Sequence, residues 1–141
     1  MRLLKLLLLI AVLFGGYKWW QGRDAEHAFA ASASPNGFVP VEMPGGARRN
    51  VVLVLAPANC PSEQAQRTEA LVAALSREGV PVARGSGFSF EVDNPSAEQR
   101  AGIDRAVEVF RRGAPAVFVN GMAMSNPSAA QTVAEYRRTR G

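Results

Sequence analysis

A chain of 141 residues is enough for one domain with room for a tail or an anchor, and 48% hydrophobic against 20% charged residues excludes wholesale disorder. The net charge of +4 is not a nucleic-acid footprint: three of the 16 basic side chains, Arg2, Lys5 and Lys18, flank the first apolar segment, leaving 13 basic against 12 acidic beyond it. No nucleic-acid partner is expected, and the doublets Arg48-Arg49, Arg111-Arg112 and Arg137-Arg138 read as solvated helix ends or linker.

Residues 1–20 read MRLLKLLLLIAVLFGGYKWW, two early positive charges followed by an unbroken apolar run over 6–14. The 18 positions from Leu3 to Trp20 are marginally long enough to cross a bilayer at about 1.5 Å per residue. Tyr17, Trp19 and Trp20 stand where an interfacial aromatic belt would lie, with Lys18 able to snorkel to the headgroups. The pattern predicts a single-pass anchor in an inner (cytoplasmic) membrane, its N-terminus in the cytoplasm and the following domain on the periplasmic side. A cleaved signal peptide is the competing reading, although the nearest small-x-small site, Ala28-Phe29-Ala30, lies well beyond the apolar core and behind two tryptophans. Residues 21–49 are rich in Ala, Ser, Gly and Pro without sustained periodicity, and are expected to be a tether. His27, the sole histidine, falls in this stretch with no other ligand type at useful spacing, so no metal site is expected.

From residue 50 the punctuation becomes regular. Residues 51–55 form a continuous β-branched and apolar run, the signature of a strand buried on both faces, and Pro57 closes it. A helix is expected to start at Pro61 or Ser62, with Thr68, Leu71, Val72 and Leu75 on one face and Gly79 as its stop. Short strands are expected over 80–83 and 88–92, separated by a Gly-Ser-Gly bend. Ser96 with Gln99 forms a capping box for a second helix whose apolar residues Ile103, Val107 and Phe110 are expected in the core, and Gly113 follows its end. Residues 116–119 then read as a strand, Asn120-Gly121 as a two-residue hairpin turn, and 122–124 as the returning strand. A last helix carrying Val133 and Tyr136 starts after Asn126-Pro127-Ser128. The order strand, helix, strand, helix, strand, hairpin strand, helix predicts an α/β domain: a mixed sheet with helices on both faces.

That order resembles the thioredoxin fold and, within it, the glutaredoxins, over roughly residues 50–138. Two segments carry the resemblance. Cys60-Pro61-Ser62-Glu63 stands at the first strand-to-helix junction, where glutaredoxin-like proteins have C-P-x-C, and Ala114-Pro115-Ala116-Val117-Phe118-Val119-Asn120-Gly121 is similar to the family's cis-proline strand and turn. The resemblance implies a cis peptide at Ala114-Pro115 facing Cys60 across a groove formed by Pro61, Ala114, Pro115 and Ala116. It also implies Cys60 as a nucleophile in thiol–disulfide or glutathionylation exchange, with glutathione or a protein thiol or disulfide as partner and no tightly bound cofactor. Glu63 stands in place of the resolving cysteine, which removes an intramolecular dithiol route and leaves a monothiol. A helix N-terminus favours the thiolate of Cys60, whereas a carboxylate at Glu63 turned toward the sulfur would raise its pKa. The alternative to a monothiol oxidoreductase is a non-catalytic thioredoxin-fold module that holds a partner protein at the membrane.

Overall fold

The computed structural model of the chain describes residues 1–58 and 62–141, and for 24–30 the backbone alone. It divides into two compact units, Met1–Ser32 and Ala33–Gly141. The first is one helix, α1 (Arg2–Ala31). Its stretch Arg2–Arg23, 22 residues, is long and apolar enough to cross a membrane, spanning about 33 Å at 1.5 Å per residue against a hydrocarbon core of about 30 Å. Its leucines lie exposed along the helix, and the Arg23 guanidinium sits 4.7 Å from the Trp19 ring centroid, one turn back.

The second unit contains β1 (Val39–Pro40), β2 (Val52–Leu55), α2 (Ser62–Arg77), β3 (Val82–Gly85), α3 (Ala97–Arg111), β4 (Ala116–Val119), β5 (Met122–Ser125) and α4 (Ala129–Thr139). The strands form one mixed sheet in the order β1-β5-β4-β2-β3, with β2 parallel to β3 and the other neighbours antiparallel. Every residue of β2 and β4 is buried, as two-faced coverage of a continuous apolar run requires. Val52, Val54, Val117 and Val119 pack with Leu71 and Leu75 of α2 and Val133 of α4. The alternate residues Leu53, Leu55, Ala116 and Phe118 face the other side, which α3 covers. Asn120 and Gly121 have φ of +45° and +81°, the two left-handed positions of a two-residue hairpin turn, and Val119 pairs with Met122 across it. Ser96 with Gln99 and Ser128 with Gln131 close reciprocal capping boxes at the starts of α3 and α4.

Several expectations are corrected. The stretch 21–49 is not one tether: α1 continues through the Ala28-Phe29-Ala30 site to Ala31, and residues 33–49 belong to the compact unit. Phe38 and Val39 are fully buried, and β1 adds a fifth strand at the edge, where Pro40 costs no ladder bond. The strand expected over 80–83 runs instead over Val82–Gly85, because the N–H of Val80 donates to the Leu75 carbonyl and that of Gly79 to Ser76, closing the end of α2. Residues 88–92 form no strand; the Gly45 N–H donates to the Ser89 carbonyl at 2.7 Å and ties them to the segment before β2. On α3 the buried positions are Gly102, Ala106 and Val109, while Ile103, Val107 and Phe110 are half-buried. The helix meets the β1 edge through its small residues, and Arg105 donates from Nε to the Pro40 carbonyl.

One buried carboxylate fastens the start of this unit. Glu135 is fully buried on α4 and accepts from Ser34 Oγ and Asn36 Nδ2, each at 2.9 Å, while Arg138 pairs with it from the next turn. Burial pushes its pKa up, but the hydrogen bonds from Arg138, Asn36 and Ser34 and the Arg138 charge outweigh this and hold the carboxyl below its ordinary 4.5. Its stabilising contribution is therefore complete above the unfolded value of about 4.5 and is lost as pH falls through the lower folded value. Glu135→Gln is expected to cost about 1–3 kcal/mol at pH 7 and to flatten the stability decline below pH 4.5, measured by denaturant unfolding across pH. A variant with the wild-type acid profile would refute this role.

Gly102 tests the close approach of α3. Glycine to alanine inside a helix ordinarily stabilises by about 1 kcal/mol, but a Cβ here would lie 2.7 Å from the Glu42 backbone nitrogen. Gly102→Ala is expected to destabilise by about 1–3 kcal/mol net, whereas Gly87→Ala, with open space around it, should be nearly neutral. Equal unfolding midpoints for the two variants would contradict the packing described.

Candidate functional site

The site lies where two chain segments meet at one end of the central strand pair. Leu55 ends β2 and pairs with Ala116 at the start of β4, so the exit from β2 and the entry to β4 are neighbours. α3 stops after Arg111, where the N–H of Arg112 donates to the Glu108 carbonyl, and Gly113 at φ +135° turns the chain back toward the sheet. The Ala114-Pro115 bond is cis, as the resemblance implies. Two bonds hold this turn against β5: Ser125 Oγ donates to the Gly113 carbonyl at 3.0 Å, and the Asn126 N–H donates to the Pro115 carbonyl at 2.7 Å.

Between these elements is a cavity of about 110 Å³ lined by Leu55, Pro57, Gln64, Phe110, Gly113, Ala114 and Ala116. Pro57 follows β2, and Gln64 is in the first turn of α2, so the residues bracketing the Cys60 segment both face the cavity. Its lining among the described residues is apolar apart from Gln64, and it carries no charge. A space of this size and polarity is near the roughly 150 Å³ that admits a small apolar molecule to an engineered protein cavity. Phe110 closes one wall. It is braced by Phe88, whose ring centroid lies 4.7 Å away edge-on, and Phe88 in turn meets Phe90 at 5.4 Å.

Of the residues singled out by sequence, Ala114 and Ala116 line the cavity and Pro115 is buried between them. Glu63 is in the first turn of α2 and exposed, beside Gln64 but not part of the lining. Cys60 and Pro61, with Asn59, lie outside the described residues, as does the side chain of His27. Leu55, Pro57, Gln64 and Phe110 were not read as site residues. In place of the strand expected over 88–92, Phe88 braces Phe110 and Phe90 in turn meets Phe88. No group of three or more His, Cys, Asp or Glu side chains among the described residues could hold a metal ion.

Truncating the wall should be felt by the whole unit. Phe110→Ala, which also leaves Phe88 unsupported, is expected to cost about 2 kcal/mol by denaturant unfolding, below the full value for a buried Phe because the ring is half-buried. A loss under about 0.5 kcal/mol would mean that Phe110 does not form the wall. No protein-family model, no curated protein and no solved structure matches the chain.

Proposed function

We propose that residues 33–141 form a thioredoxin-like, glutaredoxin-related domain in which Cys60 is a single nucleophile for thiol–disulfide exchange. In this reading α1 anchors the domain to an inner membrane, on the periplasmic side. The observation that carries the reading is the cavity, because Pro57 and Gln64, on either side of the Cys60 segment, share it with Gly113, Ala114 and Ala116 at the mouth of β4. Support also comes from the sheet, whose order β3-β2-β4-β5 with one parallel and two antiparallel pairings suits such a domain, β1 being an addition at the edge.

The chemistry needs one thiolate. Cys60 attacks one sulfur of a partner disulfide; a new S–S bond forms to Cys60 as the old one breaks, and the leaving thiolate takes a proton from solvent. A second thiol, from glutathione or a protein, then attacks the Cys60 mixed disulfide and releases the enzyme thiol. No step uses a second cysteine of this chain, which has none. Cys60 precedes the first residue of α2 by two positions in the sequence, and the first turn of a helix, whose N–H groups lack intrahelical partners, favours a thiolate placed beside it. The uncharged, mostly apolar cavity suits a partner thiol flanked by a small apolar side chain better than the two carboxylates of glutathione.

The test is the pH dependence of Cys60 alkylation by iodoacetamide on the full chain in detergent micelles, with Cys60→Ser as the blank. A midpoint below about 8.5 is expected, together with transfer of a glutathionyl or peptidyl group from a mixed disulfide to the thiol. A midpoint at or above that value, or no reaction in the folded protein, would reject the enzyme and leave a groove that holds a partner without covalent exchange.

A further inference from the structure

At the opposite end of β4, beside the Asn120-Gly121 turn, is a second and larger cleft of about 410 Å³, lined by Met43, Ala47, Arg48, Arg49, Asn120 and Thr139. Its volume falls in the range of about 300–1,000 Å³ typical of small-molecule sites. Arg48 and Arg49 are both exposed, as the solvated doublet in the sequence suggests, and the fold sets both at the rim of one cleft. Neighbours in an extended chain point to opposite sides, but here the chain turns at residues 49–50, with Asn50 at φ +58° and the Val51 N–H donating to the Arg48 carbonyl.

The floor beneath the arginines is fastened and its polar groups are committed. The Asn50 N–H donates to Asn120 Oδ1 at 2.7 Å, and Asn120 Nδ2 donates to Asn50 Oδ1 at 3.2 Å and to Thr139 Oγ1 at 3.1 Å. Thr139 Oγ1 donates in turn to the Glu135 carbonyl at 2.7 Å. The arginines differ. Arg84, Arg112, Arg137 and Arg138 each meet a carboxylate, whereas among the described residues Arg48 and Arg49 have no ion-pair partner and the cleft has no acidic side chain in its lining. Arg49 Nη2 lies against Gly141, 3.0 Å from where a Cβ on that residue would stand.

We propose that this cleft binds a phosphate ester, with the phosphate on the two guanidinium groups and its organic part against Met43 and Ala47. Two adjacent planar forks supply ten N–H donors, which suits a dianion with several acceptor oxygens better than a single carboxylate. The cleft exceeds what a lone phosphate fills, and its apolar wall accounts for the remainder. The site is independent of the Cys60 chemistry. The same chemistry is offered by a soluble phosphate monoester and by an anionic phospholipid headgroup.

The experiment is a calorimetric titration of the full chain, in uncharged detergent micelles at low salt, with glycerol 3-phosphate. Saturable one-site binding is expected, weakened at least tenfold in the Arg48→Gln/Arg49→Gln double variant and changed by less than twofold in Arg100→Gln/Arg111→Gln, which removes the same charge from exposed positions elsewhere. Arg48→Lys/Arg49→Lys, which keeps the charge and removes the forks, should lose most of the affinity as well, and thermal unfolding checks that each variant is folded. Absence of saturable binding in the wild type, equal weakening of the two glutamine variants, or succinate binding as tightly as glycerol 3-phosphate would each overturn the proposal. Adding phosphatidylglycerol to the micelles separates the two sources: displacement of glycerol 3-phosphate supports the headgroup, and no displacement supports the soluble ester.

Discussion

The antiparallel pairing of β2 with β4 is the constraint on which the rest of the compact unit depends. Both strands are buried on both faces, so each of their residues must find apolar neighbours above or below the sheet while its main chain is satisfied within it. That requirement calls α2 and α4 to one face and α3 to the other, and leaves the strand ends as the places where the chain escapes the layer. Both clefts lie at such ends. One gathers the exit of β2 and the entry of β4, and the other gathers the segment before β2 and the turn after β4.

The elements that the sequence declared openly are those whose cause is local. A β-branched run, a serine three residues before a glutamine, an Asn-Gly pair and a glycine after a basic helix end each act within a few residues, and the structure has each in place. What the sequence hid has a tertiary cause. Phe38 and Val39 read as tether because Pro40 and Pro44 break any periodicity around them, and only the free edge of β5 makes a two-residue strand worthwhile. The core face of α3 lies one residue from the one its apolar spacing suggests because the close partner of that helix is the backbone near Glu42, which selects Gly102 and Ala106 over Ile103 and Val107. Phe88 and Phe90 alternate like strand residues yet form no strand; Phe88 meets Phe110 edge-on instead, and Phe90 meets Phe88.

The candidate site was legible to the same degree. Of the two segments quoted from the sequence, 114–121 reaches the cavity through Ala114 and Ala116, and strand pairing between Leu55 and Ala116 brings Pro57 and Gln64, from either side of residues 59–61, to the same space. The walls were not legible, because Phe110 looks like an ordinary helical core position until the turn at Gly113 brings the end of α3 over the mouth of β4. The basic doublet at 48–49 is as exposed as its sequence suggests; what the sequence hides is that a left-handed asparagine and its hydrogen-bonded partner set both arginines beside one cleft.

The Glu135 clamp has a mechanical meaning for a chain whose first helix is suited to a bilayer. Ser34 and Asn36 are bonded to α4 before the chain reaches β1, so tension arriving at residue 33 is borne first by side-chain bonds to a buried carboxylate. The two-residue edge strand lies behind that clamp and is shielded from being unzipped one pair at a time. A unit pulled from its N-terminal side would yield by shearing Ser34 and Asn36 off the helix, after which Phe38 is the next residue to lose its burial.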